Sequence, residues 1–161
     1  MKKRYFLVAL LLMLTFLTCC AVALAEDDVP PPEQISVDPN FSMVDWYLNV
    51  MPLADELKLV RTTANIYKTD STHVAVRGVT QTNKTCLYIN GYMAIQQWKD
   101  NRWNTYTTVS YTNYGANEAT GETIVAVASG YYYRLAINHY AFDSDGNTVS
   151  STVATASILV N

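Results

Sequence analysis

Gly130-Tyr131-Tyr132-Tyr133-Arg134-Leu135-Ala136-Ile137-Asn138-His139-Tyr140 is the stretch on which the fold turns. Successive side chains of an extended chain point to opposite sides, so Tyr133, Leu135, Ile137 and His139 share one face. Tyr132, Arg134, Ala136, Asn138 and Tyr140 share the other. The first set reads as core-facing and the second as outward. The same two-residue period, rich in β-branched and aromatic residues, runs from Leu57 to the C-terminus. It places strands at about 57–67, 73–82, 86–98, 103–111, 123–128, 132–142 and 149–160, the third bent at Asn90-Gly91. Turn-forming residues separate them: Asp70-Ser71, Asn83-Lys84, Asp100-Asn101, Gly115 to Gly121, Ser129-Gly130 and Asp143 to Asn147. No proline follows Pro52, as a continuous hydrogen-bonded sheet requires. With no helical period and no repeat of propeller or solenoid length, the expected class is all-β and antiparallel.

About seven short strands of this kind point to an immunoglobulin-like β-sandwich over residues 57–161. A tyrosine just after a glycine at a strand start, as at Gly130, resembles the tyrosine corner of such sandwiches. Their Cys-Trp-Cys framework is missing. The hairpin Gln97-Trp98-Lys99-Asp100-Asn101-Arg102-Trp103 carries a second geometric expectation. With Asp100-Asn101 as a two-residue turn, Lys99 faces Arg102 and Trp98 faces Trp103, which makes the indoles a cross-strand pair.

Upstream, the pattern changes. Lys2, Lys3 and Arg4 precede an apolar run, and Ala23-Leu24-Ala25 stands before Glu26, Asp27 and Asp28. That order is a secretory signal peptide, residues 1–25, with cleavage expected after Ala25. An uncleaved leader acting as a membrane anchor is the alternative, since the apolar stretch is long enough to span a bilayer. Lipidation fits less well, because neither Cys19 nor Cys20 follows a small residue. Residues 26–56 read as an acidic, proline-containing linker, with eight acids and no Lys or Arg. Trp46, Tyr47, Leu48, Val50, Met51 and Leu53 are too apolar for a free linker, so part of it is expected to pack on the domain. Cys86 alone remains after cleavage, so no internal disulfide is expected, and it reads as a small buried hydrophobe. From residue 57 the charges nearly balance, which argues against nucleic-acid binding.

Gln96-Gln97 through Trp103, then Gly130-Tyr131-Tyr132-Tyr133-Arg134, His139 and a closing Ser/Thr-rich strand resemble a family of small secreted proteins of Gram-positive bacteria whose function is uncharacterised. The resemblance covers roughly 57–161. It implies a secreted β-sandwich of a domain of unknown function, nothing catalytic, and no site residues to carry over.

Enzyme constellations are thin. The segment Thr82-Asn83-Lys84-Thr85-Cys86 resembles the Thr-Leu-x-Thr-Cys strand of sortase transpeptidases, secreted β-barrel enzymes that pair a thiolate with a His and an Arg. Candidates for those partners are His73, Arg102 and Arg134. Asn83 replaces the Leu, and His73 lies far closer to Cys86 in sequence than that pattern has it. Glu118 and Glu122 could be a carboxylate pair for glycoside hydrolysis or a solvated turn. Asp143-Ser144-Asp145-Gly146-Asn147 has the start of a calcium loop and lacks its later ligands, so a hairpin turn is expected there. His73 and His139 are too few for a metal site. No catalytic residue, cofactor or metal is expected.

What remains is aromatic content: 12 tyrosines and three tryptophans. Rings with apolar faces and polar edges suit sugars or protein partners, although they are also favoured as packing residues in any strand. Trp98, Trp103, Tyr106, Tyr111 and Tyr114 cluster around one hairpin and form the candidate binding platform. The expected function is a secreted, non-catalytic binding or adhesion module for a glycan or protein at the cell envelope. The alternatives are a structural or protective extracellular protein with no small-molecule ligand, and a Cys-dependent or glycan-active enzyme.

Overall fold

The computed structural model describes Ile35, Ser36, Asp38 and residues 40–48 and 56–161. The signal peptide, the prolines and most of the acidic linker read above lie outside the described residues. Seven strands follow in order: β1 (Phe41–Tyr47), β2 (Leu59–Lys68), β3 (His73–Lys99), β4 (Arg102–Ala126), β5 (Tyr131–Phe142), β6 (Thr148–Ala154) and β7 (Ile158–Val160). They form one sheet of order β1-β2-β3-β5-β6, with β4 beside β3 and β7 beside β5, and every strand pairing is antiparallel. No helix among the described residues is long and apolar enough to cross a membrane.

The sheet curls because β3 changes partners midway. Its first half, Val74 to Thr82, pairs with β2, and its second, Tyr88 to Gln97, pairs with β5. β4 follows β3 along both halves. At the corner the register jumps from Gln81↔Glu118 to Cys86↔Ala116, so four residues of β3 oppose Asn117 alone. Asn83 fixes this jog. Its backbone N–H donates to the Lys58 carbonyl at 3.1 Å, its Oδ1 accepts from the Lys58 N–H at 2.8 Å, and its Nδ2 donates to the Glu56 carbonyl at 2.8 Å. Lys84 ties the jog to the β5–β6 turn through a 2.7 Å ion pair with Asp143. Beyond the corner the sheet folds over so that β2 faces β5, β6 and β7.

The core fills the space between the halves. Ala64, Ile66, Val74 and Val76 come from the first; Ile89, Met93, Ile95, Leu135, Ile137, Ile158 and Val160 come from the second. Each large apolar side chain buried here contributes about 1.5–3 kcal/mol relative to exposure. Tyr133, Leu135, Ile137 and His139 are all fully buried, as the alternation in the opening stretch requires.

Two expected turns are absent, and each absence has a reason. Asn83-Lys84 is the corner jog within a continuous β3, and Gly115 to Gly121 lies within a continuous β4. Neither reverses the chain, because the Asn83 side chain supplies ladder bonds that a turn would lose. Gly115 takes φ 59 where β4 rounds the corner, which glycine does without steric cost. The closing strand instead splits. The Thr155 N–H donates to the Leu135 carbonyl at 2.9 Å and its hydroxyl accepts from the Leu135 N–H at 3.0 Å, so one side chain bridges β6 to β7 along β5. β1 lies inside the stretch read as linker, with Ser42 buried toward the core, so the sheet extends N-terminal of residue 57.

Candidate functional site

The Asp100-Asn101 turn has both central residues at positive φ, 55 and 56, the geometry of a type I′ hairpin. It pairs Lys99 with Arg102 and Trp98 with Trp103. The two indoles meet edge to face with centroids 5.3 Å apart. The Arg134 guanidinium lies 4.4 Å above the Trp103 ring, and its Nε donates to Gln96 Oε1 at 2.7 Å. Stacking and a fixed acceptor hold this cation in one place.

The register shows what else shares that surface. On the outside of the second half, β4, β3 and β5 set Tyr114, Tyr88 and Phe142 in one row across the sheet. Tyr88 stacks on Tyr140 at 5.4 Å and meets Phe142 at 6.0 Å and Tyr114 at 6.4 Å. A hydrogen bond with Tyr140, helped by desolvation, holds the Tyr88 hydroxyl protonated above its ordinary range. Between this cluster and the tryptophans lies a field of small and polar side chains, among them Thr112, Ser110, Thr108, Asn138 and Thr152, with the exposed Tyr92 between Ser110 and Asn138. Asn90 Nδ2 is fixed there by the Tyr111 carbonyl at 3.1 Å and Thr112 Oγ1 at 2.8 Å. Tyr88 and Trp98 are ten residues apart on β3, roughly 33 Å at the usual rise. Arg134 is the one charged side chain on this face among the described residues. The outside of the first half, by contrast, carries Asp45, Arg61, Arg77, Glu118 and Glu122.

The five aromatics of the candidate platform divide. Tyr114 is 74% exposed and stands in the outer row. Trp103 is half-buried on the same face, beside a buried Trp98. Tyr106 is the extra residue of a bulge, where the register shifts between Ile95↔Thr107 and Gln96↔Thr105. Its ring stands edge-on to Tyr133 at 5.7 Å. Tyr111 leaves the platform altogether: it is 8% exposed and fills the inside of the corner. Bare backbone at Gly78, Gly91 and Gly121 gives its ring room. Its hydroxyl lies 2.9 Å from Thr80 Oγ1, which lies 2.7 Å from His139 Nδ1. Burial pushes Tyr111 up to about 12 and His139 down to about 4, so both are neutral at pH 7. Alternation alone places Tyr88, Tyr92 and Tyr140 on the outer side of their strands. What it lacks is the knowledge that β4, β3 and β5 lie side by side.

The enzyme constellations are not assembled. Cys86 is buried, and its Sγ meets Thr82 Oγ1 and the Lys84 carbonyl, each at 3.5 Å. His73 sits at the far end of β3, with Nδ1 3.0 Å from Asp70, while Arg134 pairs with Gln96 beyond the corner. Backbone donation from Thr72, then the bond with His73, lowers Asp70 to about 2. Glu118 and Glu122 stand four residues apart on one strand, about 13 Å, wider than either glycosidase geometry. Asp143 is engaged by Lys84, the backbone N–H groups of Asp145 and Asn147, and Asn147 Nδ2, the arrangement of a tight turn.

Comparison with protein-family models, curated proteins and solved structures finds no match to this chain.

Proposed function

We propose that the protein is an exported, non-catalytic binding module whose ligand lies along the outer face of the second half-sheet. The carrying observation is the composition of that face: aromatic groups at both ends and Tyr92 midway, hydroxyl and amide side chains around them, and Arg134 as its only charge among the described residues. A solvated sheet face ordinarily mixes charges of both signs, as the first half does. A nearly uncharged field of hydroxyls interspersed with rings instead suits an extended, neutral glycan of the cell envelope, whose sugars offer apolar faces to rings and hydroxyls to polar side chains. The signal-peptide pattern of residues 1–25 and the resemblance to secreted proteins support the compartment. For the fold, the finer reading is a sandwich of immunoglobulin-like kind with its halves joined at the β3–β4 corner. The Tyr133 hydroxyl supports it by donating to the Ala128 carbonyl, 2.9 Å away and five residues upstream, as a tyrosine corner does.

Binding to envelope glycans, measured on an array and then by calorimetry, tests the site. Tyr88→Ala combined with Tyr114→Ala is expected to weaken binding about tenfold or more, and Trp103→Ala to do so separately, at about 0.5–1.5 kcal/mol per ring contact. Unchanged affinity in all these variants, or no glycan bound by the wild type, refutes the reading.

A further inference from the structure

The corner joins the two half-sheets along one side; on the other they end in the edge strands β1 and β6. Between those edges opens a slot of about 420 Å³. Trp46, Leu48 and Leu59 wall it on one side, Val149 and Ser151 on the other, and Lys58 also lines it. Trp46 is 44% exposed, a large apolar ring left at the opening.

The ladder shows what stands behind each wall. Trp46 pairs with Thr62, and Ser151 pairs with His139. Directly opposed residues share a face, so Thr62 and His139 point inward one strand behind the slot. Both are fully buried, and neither Thr62 Oγ1 nor His139 Nε2 has a hydrogen-bond partner among the described residues. Thr80 joins the two walls: it is the ladder partner of Thr62, and its Oγ1 lies 2.7 Å from His139 Nδ1. With Tyr111 donating to Thr80 and Thr80 to Nδ1, the ring hydrogen sits on Nε2. Two buried donors therefore stand unused behind an apolar slot, a costly arrangement unless an acceptor reaches them.

We propose that the slot binds a short, uncharged acyl chain, its carbonyl oxygen accepting from His139 Nε2 and Thr62 Oγ1 and its hydrocarbon lying against Trp46, Leu48, Leu59 and Val149. A carbonyl oxygen has two lone pairs, one for each donor. A carboxylate fits less well, because burial keeps His139 neutral and the ion would lose its water without gaining a countercharge. From Trp46 to Leu48 the wall runs about 7 Å, the length of a short chain. The slot lies at the inner edge of the sandwich, so it does not depend on the glycan reading of the outer face.

Methyl hexanoate titrated into the purified protein, with the imidazole nitrogen signals of His139 followed by NMR, tests this. Saturable binding with a Kd of about 1 mM is expected, together with a shift of the Nε2 signal. Val149→Trp fills the slot from an edge strand and is expected to weaken binding about tenfold or more with circular dichroism unchanged. Thr62→Val keeps the shape, removes one donor, and is expected to weaken binding about fivefold. The hexanoate ion is expected to bind about tenfold more weakly than the ester. A wild type that binds no ester, with water alone serving the two groups, overturns the proposal, as does a Val149→Trp protein that binds equally well. Hexanoate binding as tightly as the ester puts the head at Lys58 and overturns the orientation. Binding that appears only once Asn49 to Asp55 are replaced by a glycine-serine linker makes the chain's own segment the occupant, and that also overturns it.

Discussion

Replacing Gly91 by alanine puts a methyl group into the space held by the Tyr111 ring. Gly91 stands directly opposite Tyr111 in the ladder, and a Cβ there would fall inside the van der Waals shell of the ring's Cζ, Cε1 and hydroxyl. The ring cannot slide away. A Cβ-sized probe at Gly121 or Gly78 already finds Tyr111 atoms at 2.5 and 2.7 Å, so the backbone closes on it from the opposite half. Either the corner opens or the ring is expelled. Overpacking of a rigid site costs about 1–3 kcal/mol, and loss of a buried aromatic about 3–5 kcal/mol, so a penalty of about 3 kcal/mol is expected. For a domain of this size that is a fall of about 12 °C in melting temperature. The decisive variant is the double. Tyr111→Ala alone opens a cavity and costs about 3–5 kcal/mol, but adding Gly91→Ala then introduces no clash and refills part of the space. The double is expected to be no less stable than Tyr111→Ala, a coupling of about 3 kcal/mol between the sites. Urea unfolding followed by tryptophan fluorescence measures all four corners of the cycle. A Gly91→Ala protein within about 0.5 kcal/mol of wild type, or an additive double, refutes the cradle.

Three further outcomes follow from single side chains. His139 is held neutral by burial, with its pKa lowered from 6.5 to about 4, so the unfolded chain binds its proton first as pH falls. Stability is therefore unaffected above about pH 6.5, declines between there and about pH 4 by up to about 3 kcal/mol, and His139→Leu flattens that slope in pH-stepped urea melts. Asn101 holds φ 56 in the hairpin turn; Asn101→Gly is expected to stabilise by about 0.5 kcal/mol and Asn101→Ala to cost about 1 kcal/mol, read by thermal melts. Lys84 and the turn donors hold the Asp143 carboxyl below the ordinary carboxylate range, so its contribution persists at neutral pH and is lost in strong acid. Asp143→Ala, which removes every one of those bonds, is expected to melt lower than Asp143→Asn, which keeps the turn acceptor.

Local rules made some of this fold legible in the sequence. The inward set of β5 needs only period-two alternation, and the Trp98–Trp103 pair needs only a two-residue turn whose residues tolerate positive φ. Asp143 to Asn147 likewise forms a turn from its own side chain. Long-range pairing was not legible. Asn83-Lys84 has turn chemistry, but its polar atoms are claimed by Lys58 and Glu56, far away in the chain. Tyr111 has the alternation of an edge aromatic, and what buries it is two glycines of β3 and a third on its own strand beyond the corner. The candidate site was half visible for the same reason: each strand's outward residues could be sorted, while the row of Tyr114, Tyr88 and Phe142 exists only once the strands are ordered.

The corner itself explains why one hairpin carries two unlike surfaces. Opposite Asn117, β3 spends four residues where one would do, so it carries three extra. Three is odd, and a period-two chain that gains an odd number of residues exchanges its faces. Before the jog the inward residues of β3 are Val74, Val76, Gly78 and Thr80; after it they are Ile89, Gly91, Met93 and Ile95. β4 carries no such excess at the corner and keeps Val109, Tyr111, Ala119 and Gly121 on one side throughout. It exchanges faces only at the Tyr106 bulge, which is what turns Trp103 outward beside Trp98. Deleting one residue from the jog while β4 keeps its course would slip the ladder by one, setting Tyr88 and Tyr92 opposite inward residues of β4 and sending them toward the core, with Ile89 and Met93 toward water. The aromatic face therefore depends on an odd insertion, and the parity of the jog constrains it more tightly than the identity of any single ring.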